Sequence, residues 1–242
     1  TPYTVAVDIN GTEQNGTGIL ALSTFGPITA GAGYFNNTNF ENLTEINLTQ
    51  SIGSGSGTHN LNLDAGRDMY VATVQGDLDF VKLEAWYAGL QNTFGSYTLA
   101  ATSNLDLAEN AKLGLEARYV NLTLNNKAQR AAGLTSDDNS MIRLAVDGKF
   151  SIVNARLAYT KTGKNGGLTA LDQDAKNTSL GWAISSNGVA DADYFQAALG
   201  ADILDNLNFT LHYGKLKSKD QTNTTKNLAV DLQNVKAQEV YG

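Results

Sequence analysis

The chain has 242 residues, with 17 basic and 24 acidic side chains, a net charge of −7, 24 glycines, two prolines and no cysteine. Without cysteine there is neither a disulfide framework nor a thiolate metal site, and the acidic balance argues against a nucleic-acid partner, which needs a clustered basic surface. No run approaches the ~18 apolar residues of a membrane helix, and no linker composition divides residues 1–242, which read as one unit of extended strands joined by polar turns.

In chain order, strands are expected over 3–9 and 16–24, followed by "ITAGAGYFNN", which closes on Tyr34. After a polar stretch at 37–65, a strand over 66–75 returns the chain to "VKLEAWYAG", closing on Tyr87. The strand at 95–103 leads to "KLGLEARYVN", closing on Tyr119, and the strand at 140–147 leads to "SIVNARLAYTKTG", closing on Tyr159. The strand at 192–203 precedes "LNFTLHYGK", closing on Tyr213, and a last strand is expected over 227–236. That makes about twelve strands in an up-and-down meander.

The five tyrosines set the phase. Because successive side chains on a strand point to opposite faces, the tyrosine side of each run can be read off in steps of two. It carries Ile28, Ala30, Ala32; Val81, Leu83, Ala85; Leu113, Leu115, Ala117; Val153, Ala155, Leu157; and Leu207, Phe209, Leu211, all apolar. The opposite side carries Lys82, Glu84, Glu116, Arg118, Arg156 and His212, and neighbouring runs add Arg143 and Asp231. Such strict alternation excludes an amphipathic helix. The 66–75 run is less clear, with apolar residues on both sides.

Links before the tyrosine strands are short ("FGP" at 25–27, "GD" at 76–77, "LDLAEN" at 105–110, "DG" at 147–148, "LDN" at 204–206), whereas most links after them are long and polar. Alternating strands with short turns at one end and long loops at the other describe a transmembrane antiparallel β-barrel. In that architecture Tyr34, Tyr87, Tyr119, Tyr159 and Tyr213 form an aromatic girdle, each ring in lipid and each hydroxyl among headgroups. A Lys or Arg on the lipid face near the midplane would cost about 2–4 kcal/mol, and none lies on the tyrosine face. The competing architecture is a soluble β-sandwich with one face in a core.

The segments "TKTGKNGGLTALDQDAKNTSLGW", "NGVADADYFQAALGADILDNLNFTLHYGKLK" and "GPITAGAGYFNNTN" resemble the major outer membrane porins of the Campylobacter-type epsilonproteobacteria. The resemblance implies a Gram-negative outer-membrane barrel of about eighteen strands per chain. It further implies assembly as a homotrimer in outer-membrane lipid, passing ions and small hydrophilic solutes by diffusion. Porins of this kind are longer and end on a strand with a terminal aromatic residue, whereas this sequence begins abruptly at "TPYTVAV" and ends "EVYG", so a partial chain lacking amino-end strands and a residue or strand at the carboxyl end is expected, with a complete twelve-strand barrel as the alternative.

A porin needs no catalytic group and no cofactor, because pore width and field do its work. The pore-lining candidates are Lys82, Glu84, Glu116, Arg118, Arg143 and Arg156, with His212 and Asp231 as weaker members; a plain salt-bridged wall is the competing reading. The segments 37–65 and 161–191 are long enough to fold inward and narrow a channel. The second carries Asp172 and Asp174, a spacing at which two carboxylates can share a calcium ion, and the family resemblance makes calcium near a constriction conceivable. The full D-x-[DN]-x-[DN]-G loop is missing, however, so a solvated loop is the preferred reading. With His59 and His212 the only histidines, no nucleophile-base pair can be placed, so an enzyme is not expected. Two functions follow: a diffusion porin with a cation preference hinted at by its acidic loops, and a surface adhesin or binding barrel acting through its loops.

Overall fold

The computed structural model describes residues 1–5, 16–36, 38, 67–131, 133–172, 174–204, 206–218 and 236–242. Among these residues eleven strands form one sheet: β1 (Thr17–Phe25), β2 (Ile28–Asn36), β3 (Met69–Leu78), β4 (Val81–Leu90), β5 (Phe94–Ala108), β6 (Ala111–Leu124), β7 (Asp138–Phe150), β8 (Val153–Thr162), β9 (Ala192–Leu204), β10 (Leu207–Ser218) and β11 (Lys236–Tyr241). Each pairs antiparallel with its sequence neighbour, so spatial order equals chain order. The one helix among the described residues, α1 (Asn126–Ala131), sits in the link between β6 and β7. It is far too short to cross a membrane.

Several expectations require correction. Residues 1–5 are not a wall strand: Tyr3 is fully buried against the sheet, and residues 6–9 lie outside the described set. The dipeptides Gly76–Asp77 and Asp147–Gly148 belong to β3 and β7, and the reversals come later, at Asp79–Phe80 and Ser151–Ile152, where Asp79 and Ser151 adopt positive φ of 49° and 53°. The Gly–Asp and Asp–Gly pairs were misplaced as turn markers because a strand accommodates Asp and Gly, while a two-residue hairpin needs only one residue that tolerates the left-handed region, here Asp79 or Ser151. The link at 105–110 shrinks to Glu109–Asn110 for the same reason. Of the strand expected over 227–236, only Lys236 is described, and the observed β11 runs on to Tyr241.

The tyrosine face is bare. Leu83, Leu99, Leu144, Leu157, Leu199 and Phe209 stand exposed in the middle of their strands. Tyr34, Tyr87, Tyr119 and Tyr159 are exposed near its loop end, with Tyr213 half-buried, and two further tyrosines join them. Tyr70 lies opposite Tyr34 with ring centroids 5.4 Å apart, and Tyr97 stands 6.1 Å from Tyr119. The Tyr159 hydroxyl donates to Asp193 of β9, so it meets polar groups where the ring meets apolar ones. Phe25, Phe80 and Phe150 are exposed at the turn end. They mark that edge of the apolar band as the tyrosines mark the other.

The opposite face is covered at its loop end by two segments, residues 1–5 and 163–191. Tyr3, Leu168 and Leu171 pack on Met69, Val71, Leu90, Phe94, Leu122 and Met141, all buried. This packing explains the ambiguous 66–75 run. Met69 and Val71 face the covering segments while Tyr70 and Val74 face outward, so both sides of the strand are apolar at that height.

Candidate functional site

Cross-strand register brings the expected polar residues together in rows on the covered face. Arg118 of β6 stands directly opposite Arg143 of β7. Two guanidinium groups at this spacing repel, and Glu116, two residues before Arg118, resolves the conflict. Its Oε1 accepts from Arg143 Nη2 at 2.6 Å, Arg143 Nε at 2.9 Å and Arg118 Nε at 3.4 Å. Two further donors go to the 163–191 segment: Arg118 Nη1 to Asn177 Oδ1 at 3.2 Å, and Arg143 Nη1 to the Thr178 carbonyl. Both arginines are almost fully buried, at 3% and 1% exposure.

The same segment is tied elsewhere. Asn177 Nδ2 donates to Thr98 Oγ1 at 2.8 Å, and Thr98 donates to the Tyr3 hydroxyl at 2.8 Å. The Leu171 and Asn177 amides donate to the carbonyls of Tyr3 and Pro2. Further along, the Glu239 carboxylate of β11 accepts from three consecutive backbone amides, those of Trp182, Ala183 and Ile184 at 3.1, 2.7 and 3.2 Å, and from the Tyr194 hydroxyl at 2.8 Å. Gly181 and Gly214 flank this clasp; a Cβ on either would strike the Tyr194 hydroxyl and Glu239, so only glycine lets the chains approach so closely.

The solvated loop expected at 161–191 is therefore corrected. Residues Leu168–Asp172 and Asn177–Ser179 are buried, and their polar groups bond to wall side chains and to one another. Asp172, 1% exposed, accepts the Asp174 amide at 2.7 Å. That bond closes a turn, and among the described residues no three acidic or histidine side chains converge as a metal cage.

Toward the turn end the covered face opens into a cleft of about 620 Å³ lined by Asp147, Lys149, Asn154, Arg156, Thr210 and His212, among others. Here charges sit in pairs: Arg156 with Asp147 at 3.6 Å, Lys149 with Asp202 at 3.0 Å, and Lys112 with Asp106 at 3.9 Å. Lys82 and Glu84 pair at 3.7 Å on β4, apart from this group. Asp231 lies outside the described residues, as does most of the 37–65 stretch.

No family model matches the chain, and no curated protein matches it. Solved structures do. The chain is similar to the outer membrane protein OprD from Pseudomonas aeruginosa, at 16% identity over 94% of the chain and 55% of OprD, with a TM-score of 0.65. The fold is that of an outer-membrane β-barrel. OccD3 (OpdP) from Pseudomonas aeruginosa superposes at a TM-score of 0.74, 15% identical, over 99% of the chain and 60% of its own length. OccAB2 from Acinetobacter baumannii gives 0.69 and 15%, over 99% and 58%. The chain thus spans just over half the length of these barrels. In this fold the bare face meets lipid and the covered face lines the lumen, with residues 163–191 folded into it.

The residues that sequence reasoning missed are Asn177 of the inward segment and three that meet that segment, Tyr3, Thr98 and Glu239. For Glu239 a signal was present, since "KAQEVY" alternates with Ala237, Glu239 and Tyr241 on one side. Ending the last strand at 236 hid it. Asn177 had no signal, because an asparagine in a polar loop reads the same in water or in a lumen.

Proposed function

We propose that the chain belongs to an outer-membrane diffusion porin, in the epsilonproteobacterial family it resembles, which passes ions and small hydrophilic solutes and performs no catalysis. The observation that carries this reading is the inward segment. A loop that only bound partners outside the membrane would gain nothing from folding into the lumen and spending its polar groups on Arg118, Arg143 and Glu239, whereas a channel is narrowed by it while a polar cleft stays open beneath.

In the same reading cations pass more readily than anions. The chain carries 24 acidic against 17 basic residues, and two of the wall arginines are withdrawn from water beneath the loop. Arg156, whose side chain is 30% exposed, remains to act on passing ions. The homotrimer implied by the family resemblance is part of the proposal, and chemical cross-linking in native membranes reports it.

The test is single-channel current from full-length protein in a planar bilayer. Stepwise ohmic conductance is expected, with Arg156→Glu moving the reversal potential in a salt gradient further toward the cation limit. Silence from protein shown to be folded and inserted would overturn the reading and leave the loops as the seat of function.

A further inference from the structure

Between the turns and the tyrosines the lipid face carries no lysine or arginine among the described residues, but at the loop end of β10 and β11 that changes. Lys215 and Lys217 follow Tyr213 in steps of two, so they share its face, while Gly214, Leu216 and Ser218 are buried on the other. Register sets their height. Lys215 stands opposite Phe195, which stands opposite Tyr159, so Lys215 lies level with the girdle. Lys217, roughly 7 Å further toward the loops, stands opposite Lys236 of β11. Lys217 and Lys236 are exposed, and Lys215 is half-buried.

Two lysines directly opposite each other on one face repel, and a neighbouring carboxylate ordinarily relieves them. Among the described residues none does so here. Asp193, the other cross-strand neighbour of Lys217, is engaged by Lys161 Nζ at 3.2 Å, and Lys161 also meets Asp191 at 2.9 Å. With that cluster included, four lysines face two aspartates, a cationic patch on a chain of net charge −7. Toward the middle of the sheet the same face continues with Val240, Leu211 and Leu199, all exposed.

The long-loop end of such a barrel is its outer end, and a lysine at interfacial depth costs far less than one at the midplane. Cations at headgroup height above an apolar strip are complementary to an amphiphile with an anionic head. A zwitterionic phospholipid brings its own ammonium and offers these lysines little, whereas a phosphate monoester carries nearly two negative charges. We propose that the patch binds a phosphorylated glycolipid of the outer leaflet, with Lys215, Lys217 and Lys236 around its phosphates and Val240, Leu211 and Leu199 along its acyl chains. A phosphate seated there supplies the anion that Lys217 and Lys236 lack. The inference goes beyond the channel reading, because it stands on the lipid-facing side of the fold and not on conductance.

The experiment is native mass spectrometry of full-length protein released from detergent with diphosphoryl lipid A, and separately with the same lipid after removal of its phosphates. The wild type is expected to retain the diphosphoryl form preferentially, and less so as salt rises. The combined variant Lys215→Gln, Lys217→Gln, Lys236→Gln should weaken that binding by about a hundredfold, from about fivefold per lysine near a charged lipid surface. The corresponding Lys→Arg variant keeps the charge and should keep the lipid. Without lipid, the glutamine variant should melt no lower than wild type, since it removes a like-charge pair. Equal retention of the two lipid forms by the wild type, or an unchanged affinity in the glutamine variant, would overturn the site and leave the acyl chains and girdle as the sole lipid contacts. A silent channel would overturn the porin reading and leave this one standing.

Discussion

Arg118, Arg143 and Glu116 show how one side chain changes meaning with its surroundings. In sequence they are charges on a polar strand face, and the i,i+2 spacing of Glu116 and Arg118 already put two of them side by side. The structure adds that β7 delivers Arg143 opposite Arg118 and that a loop closes over both. A single carboxylate then balances two buried guanidinium groups. Glu116→Gln keeps the shape and removes the charge, so the full-length protein should lose about 3–5 kcal/mol, the cost of leaving a buried charge unpaired. A thermal melt in detergent, compared with wild type, checks this. The Lys82–Glu84 pair, whose lysine is exposed, is the control: Lys82→Gln should change stability by less than about 1 kcal/mol. Comparable losses in the two variants would mean that the cluster is as solvated as its sequence suggested. The tyrosines, by contrast, were legible one at a time, because a ring closing an alternating strand has the same surroundings in every strand that reaches the interface.

At the scale of elements, the strands were easier to locate than their ends. Alternation fixes which residues share a face, but it does not say where a hairpin turns, and Gly–Asp and Asp–Gly pairs proved to be strand residues. The apolar inner positions Val120, Leu122 and Leu124, beyond Tyr119, broke the polar-inside pattern because they meet the inward segments and not water. The 163–191 segment is held at two moorings, the arginine pair at Asn177–Thr178 and the Glu239 clasp at Trp182–Ile184. Glu239→Ala removes four charge-assisted bonds, three from the loop amides and one from Tyr194, and should free the second mooring alone, at a local cost of about 3 kcal/mol. The measurement is open-channel noise: flicker should rise while the arginine mooring keeps the loop inside. Noise equal to wild type would place the restraint elsewhere.

For the whole molecule, the inward segment both fills part of the lumen and contributes Leu168 and Leu171 to its core. Removing residues 168–187 from the full-length protein should therefore raise single-channel conductance and lower the melting temperature together. A rise in conductance at unchanged stability would make the segment a loose plug. The sequence by itself determined the all-β architecture, the lipid-facing side, the loop-end girdle and the membership of the polar wall. Each follows from a period of two that repeats within every strand and needs no knowledge of distant residues. Only the tertiary structure decided which wall charges meet water and that the long loop lies inside. Those facts depend on pairings such as Glu239 with residues 55 to 57 positions away. No local pattern encodes such a distance, because a polar loop has the same composition whether water or the lumen wall satisfies its hydrogen bonds.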